Sequence, residues 1–306
     1  MNIPVVTQRN KPSLCDTSMH SLPEHPPTKR NKHPKQHPKR NKYQVGHQFT
    51  RAAATYDQAA QIQHQALDGL IHRLRQQQPQ ALRGHWLDIG CGTGKAFTPL
   101  QNQGVSQITG IDLSAGMLHQ SAQRQTGNIQ LIQADADALP IASQSIDGLI
   151  SSLMLQWSQN TTATLAEWAR VLKPGGCAAI ATLLPGTHAE LQQAWESLDG
   201  FIHVNHFDTH QELQQAAHNA GLTILHQEQH ALTETHPSLP ALLKQLKAIG
   251  ATNVNPGRRP GLTTRSTLQQ LDRHYPRNQQ QQLPLTYQVV WIVAIKPIQP
   301  NQSAPL

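Results

Sequence analysis

The segment Leu87-Asp88-Ile89-Gly90-Cys91-Gly92-Thr93-Gly94 constrains this chain more than any other. An apolar run must stop, turn sharply and restart as a helix. Three alternating glycines let the backbone lie against a ligand where a side chain would collide. The spacing is G-x-G-x-G. A dinucleotide fingerprint, G-x-G-x-x-G, would need glycine at position 95, where Lys95 stands. A phosphate-binding G-x-x-x-x-G-K-[ST] loop is excluded as well, because the residue five before Gly94 is Ile89.

The residues that follow say what the loop could hold. Asp112 closes the next apolar run in Gly110-Ile111-Asp112-Leu113-Ser114, where a carboxylate can accept both hydroxyls of an unphosphorylated ribose. Asp135, in Gln133-Ala134-Asp135-Ala136, ends the third run and can accept from an adenine amino group. Asp147 opens the fourth and reads as structural. Arg170-Val171-Leu172-Lys173-Pro174-Gly175-Gly176 reads as a helix end, a proline stop and a turn into another strand.

Apolar runs at 85–89, 107–111, 128–133, 146–152 and 177–184 alternate with stretches of helical patterning. Such alternation needs crossover connections, and it predicts an α/β, doubly wound, Rossmann-like domain on a seven-stranded, mostly parallel sheet. Upstream, Ala52, Tyr56, Ala59, Ala60, Gln63, Leu67, Leu70, Ile71 and Leu74 predict one leading amphipathic helix. Downstream, a helix over 211–219 ends at Gly221 before a strand at 222–230, and a last strand occupies 287–295. Segments 185–207 and 236–278 exceed what the sheet needs. They are expected to be helical lid insertions over the carboxyl ends of the strands, where such sheets bind ligands.

Charge separates the chain into parts. The net +7 resides in residues 1–47, where nine basic residues face two acidic ones, and the remainder is balanced. The tail is rich in Pro, His, Asn and Lys with little to bury, so it is expected to be disordered. The domain is expected to span 48–298, with a short tail at 299–306. A balanced domain has no general attraction for polyanions, so nucleic acid is not expected as a partner. No run approaches the roughly 18 apolar residues of a membrane span, and a cytoplasmic monomer is expected. Cys15, Cys91 and Cys177 form no C-x-x-C pair, and the 18 histidines show no ligand spacing, so no metal is expected.

The glycine loop, Asp112, Asp135 and the 170–176 turn, in this order, resemble the class I methyltransferases that use S-adenosylmethionine. The resemblance covers about residues 80–185. It implies that Asp88, Gly90, Gly92 and Gly94 contact the methionine part of the cofactor. Asp112 and Leu113 would bind the ribose, and Asp135 and Ala136 would flank the adenine. S-adenosylhomocysteine would be the product. The flanks are similar to malonyl-acyl-carrier-protein O-methyltransferases of biotin synthesis. They include Phe49-Thr50-Arg51-Ala52-Ala53-Ala54-Thr55-Tyr56, Leu155-Gln156-Trp157, Leu191-Gln192-Gln193-Ala194-Trp195, Leu246-Lys247-Ala248-Ile249-Gly250-Ala251, Leu262-Thr263-Thr264-Arg265-Ser266 and Leu283-Pro284-Leu285-Thr286-Tyr287. One departure is His206 in His203-Val204-Asn205-His206-Phe207, where the family pattern implies Asn-Arg-Phe.

That resemblance implies methyl transfer to the free carboxylate of a malonyl group on acyl-carrier protein, or on coenzyme A. Another small-molecule reaction, quinone C-methylation or dicarboxylate O-methylation, is the alternative. A carboxylate is its own nucleophile, so catalysis reduces to alignment and exclusion of water. An arginine fork is the natural orienting group for it. Among Arg51, Arg170, Arg258 and Arg265, Arg170 is preferred, with Tyr56 closing over the cofactor as the second catalytic candidate. Lys244, Lys247, Arg258, Arg259 and Arg265 are close enough in sequence to make a basic rim for an acidic carrier.

Overall fold

The computed structural model describes residues 41–251 and 263–298. Its strands are β1 (Gly84–Ile89), β2 (Val105–Asp112), β3 (Ile129–Gln133), β4 (Ile146–Ser152), β5 (Leu172–Leu183), β6 (Thr223–His236) and β7 (Leu283–Ile295). They form one sheet in the order β3-β2-β1-β4-β5-β7-β6. The pairings β2 with β3, β1 with β2, β1 with β4 and β4 with β5 are parallel, and β7 runs antiparallel to both β5 and β6. The expected seven-stranded, mostly parallel sheet is therefore present, with one reversed strand inserted near its edge.

The helices are α1 (Lys42–Ala52), α2 (Tyr56–Ala59), α3 (Gln61–Gln77), α4 (Phe97–Gln101), α5 (Ala115–Ala122), α6 (Thr161–Val171), α7 (Ala189–Glu196), α8 (His210–Asn219), α9 (Leu239–Ala248) and α10 (Arg265–His274). Alternation along the strands divides the core into two layers. On β7, Leu285, Tyr287, Val289, Trp291 and Val293 join the cluster under α3, whereas Val290, Ile292 and Ala294 join that under α6 and α8. The period of two sends successive side chains to opposite faces, so a sheet covered by helices on both sides must be apolar at nearly every position. At the centre, Trp86 is fully buried and occupies the space that Gly148 leaves, since a Cβ on Gly148 would come within 2.2 Å of the indole.

Two expectations about the leading segment need correction. The boundary at residue 48 is too late: α1 starts at Lys42, its N-terminus capped by the Asn41 side chain accepting from the Gln44 N–H. Val45 and Gly46 in its first turns are buried, Gly46 against Leu113. Composition hides this helix, because the few apolar atoms it buries come between Lys, His and Gln. Residues 1–40 and 299–306 lie outside the described residues. The single leading helix is also broken, into α1, α2 and α3, by turns at Ala53–Thr55 and Ala60. This break turns Tyr56 and Asp57 inward at the mouth of the sheet, while Ile62, Ala66, Leu70 and Leu74 of α3 cover β5 and β7.

Candidate active site

A cleft opens where the parallel strands end. Its walls come from Gly90 and Gly92 after β1, Asp112 and Leu113 at the end of β2, Ala134–Asp137 after β3, and Ser152–Met154 after β4. The loop after β1 folds back on β2: the Gly90 and Cys91 N–H groups both donate to the Ile111 carbonyl, at 2.7 and 3.0 Å. Gly92 adopts φ +53°, and nothing lies within 4 Å of where its Cβ would be. That open cradle is what a ligand lying along the loop requires. Gly94 differs: at φ +78° its missing Cβ would sit 2.6 Å from Phe97, so it serves the turn and its packing and does not line the cleft.

Asp112 is held by its own neighbourhood. One oxygen accepts from the Ser114 N–H at 2.8 Å and the other from the Gly92 N–H at 2.9 Å. Burial raises its carboxyl above the ordinary value, against the pull of these backbone donors. Each oxygen keeps a further lone pair for a hydroxyl. Asp88, 5 % exposed, stands behind the loop and does not line the cleft. Burial and the neighbouring Asp112 push its carboxyl up to about 8, so it is largely protonated at neutral pH. Ser152 Oγ faces the cleft, buried and without a hydrogen-bond partner among the described residues. Asp135 lines the wall with Ala136, but one of its oxygens already accepts from Lys42 Nζ at 2.5 Å, and Lys42 also reaches Asp137 at 2.5 Å. Lys42 thereby ties α1 across the end of β3, a contact over more than 90 residues that no local pattern announces.

A second cleft adjoins the first, and Phe49, Tyr56, Leu153 and Trp157 line both. Phe49 and Trp157 meet edge to face, with centroids 5.5 Å apart, and Leu153 sits at φ +54°. A branched side chain in that left-handed region is strained, and such strain concentrates where structure serves a ligand. Burial, with the nearby carboxylates of Asp112 and Asp57, keeps the Tyr56 hydroxyl well above the ordinary tyrosine range. It is a neutral O–H donor at the wall between the two chambers. Both lengthy insertions contribute to the second cleft, through Leu191, Trp195 and Phe207 from the first and Leu243, Leu246 and Ile249 from the second.

The arginine preference fails. Arg170 projects from the end of α6 onto the 139–143 loop: it donates to Glu167 at 2.7 Å, the Ile141 carbonyl at 2.9 Å, Ser143 Oγ at 3.0 Å and the Leu139 carbonyl at 3.2 Å. It lines neither cleft, and its donors are spent on pinning that loop. Arg51 lines an outer groove with Lys244 and Lys247, and Arg265 begins α10 away from both clefts. Arg258 and Arg259 lie outside the described residues. Among the described residues no arginine or lysine lines the second cleft; its polar side chains include Gln63, Gln156, His188, His203, Asn205, Tyr56 and Tyr287, beside the indoles of Trp157 and Trp195. No group of three or more His, Cys, Asp or Glu among the described residues could hold a metal, and none of their helices is long and apolar enough to cross a membrane.

The reversed strand beside a parallel sheet, the G-x-G-x-G loop at the end of β1 and the acid closing β2 define a class I S-adenosylmethionine-dependent methyltransferase. The model of the Methyltransferase domain family matches residues 87–180. Two crystal structures share the fold, each with a TM-score of 0.54. They are the YcgJ protein of Bacillus subtilis, at 17 % identity over 76 % of this chain and 99 % of that one, and a candidate methyltransferase of Bacillus halodurans, at 14 % over 74 % and 98 %. Among curated proteins, the malonyl-acyl-carrier-protein O-methyltransferase of Laribacter hongkongensis is 37 % identical over 84 % of this chain and 90 % of its own length. That of Pectobacterium atrosepticum is 36 % identical over 82 % and 95 %. The chain belongs to the malonyl-acyl-carrier-protein O-methyltransferase family. It also matches the biotin biosynthesis bifunctional protein BioHC of Cellvibrio japonicus, at 38 % identity, and spans about half that relative's length, 51 %.

Proposed function

We propose that this chain transfers the methyl group of S-adenosylmethionine to the free carboxylate of a malonyl thioester, carried on acyl-carrier protein, as an early step of biotin synthesis. The observation that supports this best is the pair of clefts sharing the wall of Phe49, Tyr56, Leu153 and Trp157, in a chain that aligns over most of its length with relatives of that name. Bound cofactor would supply an electrophilic methyl on a sulfonium. The residues of the first cleft fit it: the Gly92 cradle takes the amino-acid arm, Asp112 accepts the ribose hydroxyls, and Asp135 and Ala136 border the base. Ser152 Oγ is an unpaired partner for a polar group of that arm.

The acceptor carboxylate is ionised at neutral pH and needs no base. What this chain's residues do is align it and dry it. Phe49, Trp157, Leu153 and the leucines of α7 and α9 exclude water from the second cleft, and removing water from a carboxylate raises its nucleophilic reactivity. Alignment of this kind is worth up to roughly 7–11 kcal/mol of barrier. Tyr56 donates its O–H at the junction and orients the attacking oxygen. A carbon-methylating reaction would need a proton acceptor, and the buried His188 is a poor one, because burial pushes its imidazole down to about 4. Mass spectrometry of malonyl-acyl-carrier protein incubated with the enzyme and cofactor tests this reading. One added, base-labile methyl group is expected; an unmodified carrier, or a methyl that survives mild base, contradicts it.

A further inference from the structure

His188 occupies an unusual position. It precedes α7 with φ +59°, a conformation that a non-glycine residue adopts at a cost, and it is fixed there from both sides. Its backbone N–H donates to the Thr286 carbonyl at 2.7 Å, and its carbonyl accepts from Gln192 at 2.9 Å. Two residues on, the Glu190 carboxylate accepts from the Thr286 hydroxyl at 2.5 Å, so the start of α7 is anchored to β7. This anchorage turns the His188 ring into the second cleft, edge-on to Tyr287 with centroids 4.5 Å apart.

The Nε2 atom of that ring is buried and has no hydrogen-bond partner among the described residues. An unpaired buried polar atom costs about 1–3 kcal/mol, and native structures satisfy nearly all of them. Leu183 and Leu191, which line the same cleft, carry no polar side-chain atom to meet it. The ring is neutral at pH 7 because burial disfavours the imidazolium, so it carries a single N–H and can donate without bringing a charge. His188 is absent from the first cleft, so it stands back from the wall where the methyl would arrive.

We propose that His188 is a positioning residue whose Nε2–H donates to the thioester carbonyl of the acceptor, and that this contact sets how far the chain's terminal carboxylate reaches toward the shared wall. The inference rests on the malonyl thioester reading. A carbonyl held at a fixed depth places the carboxylate of a three-carbon diacid at Tyr56 and sends that of a longer one past it. His188 thus measures acyl length, a selection that a cleft with no arginine or lysine among its described residues cannot draw from charge alone.

The test compares H188Q and H188M, which share size and backbone strain but differ in hydrogen bonding, through steady-state kinetics on malonyl- and succinyl-loaded carrier. For H188M the expected result is a KM for malonyl carrier raised about tenfold, the loss of one such bond. Its kcat and its affinity for S-adenosylhomocysteine stay unchanged, and discrimination against succinyl carrier narrows. H188Q keeps a wild-type KM. Equal KM values in H188M and wild type, or equal losses in both variants, overturn the assignment. Wild-type enzyme that leaves malonyl carrier unmethylated while binding S-adenosylhomocysteine overturns the activity reading and this one with it. Should H188M not fold, the Nε2 nitrogen-15 resonance of His188 in wild type decides. It shifts on adding a non-reactive malonyl thioester mimic if the bond forms, and an unmoved resonance overturns the proposal.

Discussion

On the proposed function, Asp112 concentrates the ribose contacts in one side chain. Two backbone N–H groups fix its plane and leave it two further acceptor sites, so Asp112→Ala removes partners for both ribose hydroxyls and disturbs the Gly92 cradle. Each hydrogen bond to a charged acceptor contributes about 1.5–3 kcal/mol, and the variant is expected to bind S-adenosylhomocysteine on the order of 100-fold more weakly by calorimetry. Asp88 gives a pH signature. Its carboxyl, raised to about 8 by burial and by Asp112, holds a proton in the free protein at neutral pH. A cation bound in the adjacent cleft favours the carboxylate and lowers that value, so binding expels the proton. Affinity for S-adenosylmethionine should therefore rise with pH up to about 8 and level off above it, with proton release seen in buffers of different ionisation enthalpy; a flat profile contradicts this. For folding the sign is the opposite: the protonated Asp88 favours the folded chain fully below the unfolded value of about 4, and that contribution is lost as pH rises through about 8. Asp88, read from the sequence as a cofactor contact, stands behind the loop, whereas Asp112 is legible as a wall of the first cleft because it ends a strand. Arg170 is not, since a cation at a helix end looks alike whether it faces a substrate or a loop.

At the scale of elements, α1 supplies part of the first cleft's wall, through Lys42, Val45, Gly46 and Phe49, and is what composition conceals. It packs on α5 through a missing side chain: a Cβ on Gly116 would lie 2.8 Å from the Thr50 backbone. Beside it the Thr50 and Ser114 hydroxyls bond at 2.9 Å, and Lys42 bridges Asp135 and Asp137. A second tie holds the next segment: Asp57 of α2 accepts from Thr93 Oγ1 at 2.7 Å and from Arg124, joining Tyr56's neighbour to the glycine loop. Gly116→Leu is expected to lift α1 while leaving the sheet intact. If the docked form falls to a tenth of the population, the apparent Kd for S-adenosylhomocysteine rises about tenfold, with little change in Tm. An unchanged Kd by calorimetry would show that α1 is not part of the site. The strands, by contrast, are readable, since a central parallel strand is apolar on both faces and bounded by glycine or aspartate. The breaks at residues 53–55 and at Ala60 are not, because the alanines there favour helix, and packing of Tyr56 over the cleft overrides them.

For the whole molecule, the charge balance of residues 48–306 and the absence of arginine and lysine from the second cleft, among the described residues, point the same way. On the proposed function, the clefts recognise their ligands through shape, burial and single hydrogen bonds. Asp135 illustrates the limit of strand-end reasoning at this scale: its place in the wall of the first cleft is legible, whereas its tie to Lys42 exists only once the chain has closed on itself. The account's central claim is that a methyl passes from the first cleft to a carboxylate of fixed reach in the second. Transfer of a labelled methyl group from S-adenosylmethionine to malonyl-, acetyl- and succinyl-loaded carrier, run side by side, tests it most directly. The account predicts strong labelling of malonyl carrier, little of succinyl carrier and none of acetyl carrier. Equal labelling of all three, or of none by protein that binds S-adenosylhomocysteine, would contradict it.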